Sequence, residues 1–151
     1  MSDELKARAL RLLARREHTR AELARKLAPD AESPVALDAL LAALKQGKQL
    51  SDERYAEARA NQLSRKFGAA RVRRELVAKG VEREAAAQFA ADVEKTDLER
   101  ARSILERKYR TPATAPKERA RRARFLQSRG FSADVIPVSY THLTLPTILR
   151  V

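Results

Sequence analysis

Glu22-Leu23-Ala24-Arg25-Lys26-Leu27 returns as Glu75-Leu76-Val77-Ala78-Lys79-Gly80 and again as Phe125-Leu126-Gln127-Ser128-Arg129-Gly130. The offsets are 53 and then 50 residues. Each copy lies in a basic helical segment flanked by a helical pattern on either side. A period near fifty residues marks a tandem array whose units bury apolar surface against their neighbours. The reading is all-α: three tandem three-helix repeats at 1–48, 49–95 and 96–136, stacked so that each covers its neighbour's apolar face. The third is incomplete.

The flanking segments carry the helical signature. Leu5, Ala9, Leu12 and Leu13 recur at the spacing of one helix face. Thr19 to Glu22 has the form of a capping box, and Pro29 closes the helix that follows. Ser33 and Pro34 read as an N-cap and first-turn proline ahead of Leu37, Leu40, Leu41 and Leu44. Gly47 stands where a left-handed C-cap is wanted. Ser51 caps a helix with Asp52 and Glu53 against its N-terminal dipole; Ala56, Ala60, Leu63 and Phe67 line it and Gly68 ends it. Val72 and Leu76 mark a fifth helix ended by Gly80, and Ala86, Phe89, Ala90 and Val93 a sixth. Thr96 to Glu99 is a second capping box, opening a helix with Leu98, Ala101, Leu105 and Lys108. After the loop 111–116, Pro116 opens a helix to Arg129, stopped by Gly130. Ser132 caps a last start at Ala133-Asp134-Val135-Ile136.

Composition removes most enzyme classes. The 151 residues hold no cysteine, so disulfides, thiolate zinc sites and cysteine nucleophiles are out. His18 and His142 have no third metal ligand nearby in sequence, and the four glycines, all just past predicted helices, make no phosphate-cradling loop. No catalytic residue, cofactor or metal is expected. His18 reads as a structural or solvent-facing residue at a helix junction. No apolar run is long enough to span a membrane, and the charged N-terminal stretch lacks a secretion signal's apolar core, so a cytoplasmic chain is expected.

Charge is the informative quantity. Thirty-two Lys and Arg face 20 Asp and Glu, a net +12. Such a surplus attracts polyanions. The middle helices carry Arg20, Arg25 and Lys26; Arg71, Arg73, Arg74 and Lys79; and Arg119, Arg121, Arg122, Arg124 and Arg129. The run from Arg119 to Arg124 has four arginines and no acid. The planar guanidinium fork suits phosphate and carboxylate alike. These residues are expected to form a partner-binding or DNA-binding face, whereas Arg54 and Arg59 read as ordinary surface residues. Phe67, Phe89, Phe125 and Phe131 fall on apolar faces and are expected to pack in the core. Base stacking, which needs exposed aromatics among the cations, is therefore poorly supported.

Four stretches resemble the RecX family, bacterial regulators of the RecA recombinase. They are Ala9 through Leu23, Leu50 through Glu57, Gly68 through Val81 and Arg124 through Ser132. The resemblance spans roughly residues 5 to 136. It implies an elongated, curved helical array. It implies binding within the groove of the RecA–DNA filament. Beside it, the residues lead us to expect a non-enzymatic monomer that would meet single- or double-stranded DNA through phosphates. It implies inhibition of recombinase activity, in DNA repair, recombination and the SOS response.

The match stops after Ile136. Pro137 breaks the helix, and the segment to Val151 is uncharged until Arg150 and rich in β-branched residues. It is similar to translated sequencing-adapter read-through and reads as foreign, leaving Tyr140 and His142 without a role. The competing function is a helix-turn-helix-like protein acting directly on nucleic acid, which the basic middle helices allow. An enzyme on DNA or RNA is the weakest reading, because no carboxylate cluster for metal ions can be assembled.

Overall fold

Ser33 and Ser51 begin helices as expected: their hydroxyls accept from the N–H of Ala36 and Arg54, each at 3.1 Å. The computed structural model describes residues 2–132 together with 135 and 136. Among these the chain is all-α: α1 Ser2–Arg15, α2 Arg20–Leu27, α3 Pro34–Gln46, α4 Asp52–Leu63, α5 Ala69–Ala78, α6 Arg83–Glu94, α7 Asp97–Lys108 and α8 Pro116–Ser128. A single 3-10 turn, Ala28–Asp30, follows α2, where Pro29 ends the α-helix. Beyond α8, the N–H groups of Val135 and Ile136 donate to the Ser132 carbonyl at 3.1 and 3.2 Å. The expectations for Ala133, Asp134 and 137–151, with Tyr140 and His142, lie outside the described residues.

The helices gather into three separate cores. Leu5, Ala9, Leu23, Leu27, Leu37, Leu41, Leu44 and Leu50 form the first. Tyr55, Ala56, Ala60, Leu63, Val72, Leu76, Val81 and Ala86 form the second. Ala101, Ile104, Leu105, Leu126, Phe131 and Ile136 form the third. Full burial of a Leu or Val contributes roughly 1.5–3 kcal/mol, so each unit supplies its own hydrophobic stabilisation. This corrects the expectation that each repeat covers its neighbour's apolar face. Most of the apolar surface is closed within a unit, with Leu50 at the start of the second unit completing the first core, and the hydrogen bonds across the junctions are made by polar groups.

The repeat register also changes. Thr19 and Gly68 are the N-caps of α2 and α5, so the first offset is 49 (68 − 19), not 53. At that offset Leu23 and Leu27 match Val72 and Leu76, all fully buried. The expected alignment was about one helical turn out. A shift of four residues keeps the same face inward, which is why it preserved the Leu23–Leu76 likeness. The second offset of 50 holds: Leu76 and Leu126 are buried, and Gly80 and Gly130 both have positive φ, 102° and 91°.

Three local expectations fail for identifiable reasons. Gly47 has φ −81°, and the left-handed residue is the next one, Lys48, at φ 65°. Gly68 begins α5 instead of ending α4, which stops at Leu63 and leaves Phe67 in the connection. Thr96 makes no side-chain cap: its backbone is not extended, its hydroxyl donates to the Val93 carbonyl at 3.2 Å, and it accepts from Arg100. The first capping box is half made. Thr19 caps the Glu22 N–H at 3.0 Å, but the Glu22 carboxylate turns to Arg16.

Candidate partner-binding surface

One junction, used twice, positions the middle helices. At the first, the α2 N-terminus meets the α5 C-terminus: the Thr19 hydroxyl donates to the Lys79 carbonyl, and the Arg20 N–H donates to Asp52 at 2.7 Å. At the second, the α5 N-terminus meets the α8 C-terminus. Gly68 N–H donates to the Arg129 carbonyl at 2.8 Å, Ala70 N–H to the Gly130 carbonyl at 3.2 Å, and Ala69 N–H to Asp97 at 3.2 Å. In each case the first helix of the following unit lends its opening aspartate to the exposed N–H groups of the preceding middle helix. The middle helices thus run head to tail, positive N-terminus against negative C-terminus.

Polar networks flank these contacts. Arg16 grips Glu22 through two hydrogen bonds at 2.6 and 3.1 Å and holds its carboxyl down at about 2, well below its usual value. His18 is buried; Nδ1 lies 3.0 Å from the Arg16 carbonyl and Nε2 3.0 Å from Lys26 Nζ. Burial lowers its pKa, so the neutral ring donates from Nδ1 and accepts from the ammonium. Arg100 pairs with the buried Asp97 and donates to the carbonyls of Phe67 and Ser64 across the second junction. Burial pushes the Asp97 carboxyl up against that pairing.

The expected basic residues divide into two sets. Arg20, Arg25, Arg73, Arg74, Arg119, Arg121 and Arg124 are exposed. Among them Arg20 pairs with Asp38 and Arg121 with Glu118, each at 3.2 Å, and Arg119 donates to the Thr114 carbonyl. Arg25, Arg73, Arg74 and Arg124 have no acidic partner among the described residues. The others are engaged internally. Lys26 is bound to His18. Arg71 pairs with Glu75 at 3.6 Å and lies 4.5 Å over Phe67. Lys79 is half-buried; its backbone carbonyl accepts from Thr19, a contact that does not involve its ammonium group. Arg129 lies 5.0 Å from the Phe125 ring centre and 5.6 Å from that of Phe67.

Arg122 is a correction. It is buried, 4 % exposed, at the α8 position that corresponds to Val72 in α5. Its guanidinium lies 4.2 Å over Tyr109 and bonds Glu118 at 3.2 Å. A side chain in that position faces the core, so Arg122 fills space where the other middle helices place Leu or Val. The arginine-rich run 119–124 is therefore one structural and three surface residues.

Arg54 pairs with Glu17 of the first unit at 2.9 Å, and the half-buried Arg59 bonds Gln62 at 2.7 Å. Phe131 is buried in the third core, and Phe67, Phe89 and Phe125 are half-buried. Lys108 sits 3.9 Å over Phe125 and Arg71 4.5 Å over Phe67, so the protein's own cations cover those two rings. Arg83 was missed. It lines a cleft with Arg73 and Arg74 because the turn at Gly80 brings the start of α6 back beside the end of α5.

No group of three or more His, Cys, Asp or Glu among the described residues could hold a metal, and no helix among them is long and apolar enough to cross a membrane. Family models then match every unit: RecX, first three-helix domain, at residues 6–40; second, at 51–88; and third, at 95–136. The chain belongs to the RecX family. Regulatory protein RecX of Leptothrix cholodnii is 45 % identical over 132 residues, 87 % of this chain and 84 % of that protein. Regulatory protein RecX of Herbaspirillum seropedicae is 45 % identical over 85 % of this chain and 83 % of its own length. The crystal structure of RecX from Lactobacillus salivarius has the same fold, with a TM-score of 0.79 at 18 % identity, covering 95 % of this chain and 97 % of that one. A second RecX crystal structure gives 0.73 at 20 % identity, over 94 % and 72 %. The three-helix units described above are those of RecX, and they make this chain a RecX-type regulatory protein.

Proposed function

We propose that this RecX-family chain binds the RecA–DNA filament through the exposed arginines of its middle helices and restrains recombinase activity. It does no chemistry of its own, needs no cofactor, and acts as a cytoplasmic monomer. The observation that carries the reading is the set Arg25, Arg73, Arg74 and Arg124. Each stands exposed on a middle helix with no acidic partner among the described residues, and the head-to-tail junctions fix the helices that bear them. Unpaired guanidinium groups on rigid helices suit the carboxylates and phosphates of a larger anionic assembly. Arg20 and Arg121, whose ion pairs are exposed and therefore weak, add to that surface, as does Arg119, held only to the Thr114 carbonyl.

The test is RecA's DNA-dependent ATPase, measured with and without the protein, beside co-sedimentation with filaments on single-stranded DNA. Inhibition with co-sedimentation is expected; no change in ATPase at saturating protein would overturn the reading. Duplex binding that loses roughly 1–3 kcal/mol per mismatched base pair would favour the helix-turn-helix alternative.

A further inference from the structure

We propose that the cleft between α5 and the start of α6 is a docking site for an acidic segment of a protein partner, one carrying an aliphatic side chain among its carboxylates. The proposal rests on the filament-binding reading. It assigns this part of the cationic surface to protein, not to DNA phosphate.

The cleft is lined by Ala70, Arg73, Arg74, Val77, Ala78 and Arg83. Its shape follows from local structure. Ala70, Arg73, Arg74 and Val77 recur at i, i+3, i+4 and i+7, so they form one stripe along α5. The turn at Gly80, φ 102°, brings Arg83, the first residue of α6, back to the C-terminal end of that stripe. All three arginines are exposed, and none has an acidic partner among the described residues. Glu75, the one acid within α5, is already taken by Arg71. Three cations thus line one cleft, and the acids beside Arg83, Glu82 at the α6 N-cap and Glu84 in its first turn, form no ion pair with them among the described residues.

Guanidinium charge alone does not choose between carboxylate and phosphate. The floor does. Ala70, Val77 and Ala78 are apolar and aliphatic, and no lining residue is aromatic. A nucleic-acid strand held by stacking needs an aromatic platform that the cleft lacks. A strand held by phosphates alone would cover the apolar floor with sugar and charge. An acidic peptide with a Leu or Ile between its carboxylates satisfies both parts: bidentate pairs at the rim and apolar burial on the floor.

The test is fluorescence anisotropy at one fixed, near-physiological salt concentration. The probes are a labelled short peptide of Glu, Asp and Leu, the same peptide with Leu replaced by Ser, and a single-stranded oligonucleotide of equal formal charge. The Leu peptide is expected to bind at least about tenfold tighter than the Ser peptide and tighter than the oligonucleotide. The triple variant Arg73→Ala, Arg74→Ala, Arg83→Ala is expected to lose at least about tenfold in peptide affinity, in line with the loss of charge-assisted pairs. Ala78→Glu, a helix-compatible change at an exposed position, is expected to block the site by placing a carboxylate on its floor. Far-UV circular dichroism confirms that both variants fold. Equal binding of the Leu and Ser peptides, wild-type affinity in the triple variant, or tighter oligonucleotide binding that the triple variant abolishes would each overturn the assignment. Filament co-sedimentation run in parallel separates the two claims. Peptide failure with filament binding intact removes the docking site alone; loss of wild-type filament binding removes the reading beneath it.

Discussion

Replacing Gly68 with alanine tests the second junction directly. Gly68 has φ −82°, a conformation any residue adopts, so the substitution carries no backbone strain. Alanine lowers the entropy of the unfolded chain, worth about 0.4–1 kcal/mol, but it is a poorer N-cap than glycine, so the two local effects roughly offset. The neighbours decide the sign. A Cβ there would lie 2.5 Å from the Gly130 carbonyl oxygen and 2.7 Å from Phe131 N, and both are backbone atoms that cannot swing aside. Relief requires the α5 N-terminus to back away from the α8 C-terminus. That breaks the 2.8 Å bond from Gly68 to Arg129 and the 3.2 Å bond from Ala70 to Gly130. Two backbone hydrogen bonds contribute roughly 1–3 kcal/mol together. Loss of part of the Asp97–Ala69 contact adds to that. The expected net is a destabilisation of about 1–2 kcal/mol, or a Tm lower by roughly 2–8 °C for a chain of this size. Gly47→Ala is the matched control: φ is −81°, but the new Cβ meets only the flexible end of Gln49, so stability should hold or rise slightly. Thermal and urea unfolding of both variants decide it. Equal stability of Gly68→Ala and wild type, or equal losses at both glycines, would refute the close-approach argument.

Arg122→Ala should cost about 2 kcal/mol in urea unfolding by emptying the space beside Tyr109, whereas Arg124→Ala should stay within about 0.5 kcal/mol; equal effects would deny Arg122 its structural role. Arg119→Ala, Arg121→Ala and Arg124→Ala combined should weaken partner binding and leave far-UV helicity unchanged, and undiminished co-sedimentation would reduce this part of the surface to solvated charge. Acid should destabilise the fold in two stages. His18 has a folded-state pKa below its usual 6.5, so its contribution is complete above that value and fades as pH falls from there. Glu22 is depressed from 4.5 to about 2, so its contribution persists to lower pH and is lost as pH falls through that window. Because Arg16 is half exposed, the Glu22 stage is worth about 1–2 kcal/mol. His18→Gln should remove the upper stage from the pH dependence of Tm, and Glu22→Gln the lower. A pH profile that is the same in all three proteins would contradict these assignments.

Much of the architecture was legible in local signals. Ser33, Ser51 and Thr19 each cap the helix expected of them, and Leu5, Leu41, Leu76, Leu105 and Leu126 face inward as their spacing requires. These are short-range effects, visible within a few residues. The junctions were not legible. Gly68 looks like a helix stop until Gly130 is brought against it from the next unit. Thr96 looks like a cap until the α6–α7 turn removes the extended backbone that a cap needs. Arg122 shows the same limit in the site. Its neighbours in sequence are arginines, and only the helix phase, set by Leu126 four residues on, shows that it points inward. A search for inward positions across the run 119–124 would have separated it from Arg121 and Arg124. Arg83 required knowledge of which way α6 returns after Gly80.

The junctions also impose an order in time on the growing polypeptide. Thr19 leaves the ribosome 60 residues before the Lys79 carbonyl that accepts from it, and Gly68 likewise waits for Arg129. Each unit can close its own oily centre as it is synthesised, yet the seam on its far side stays open until its successor has been made. The geometry thus favours closure in chain order, the first and second segments each locked by the one translated after it.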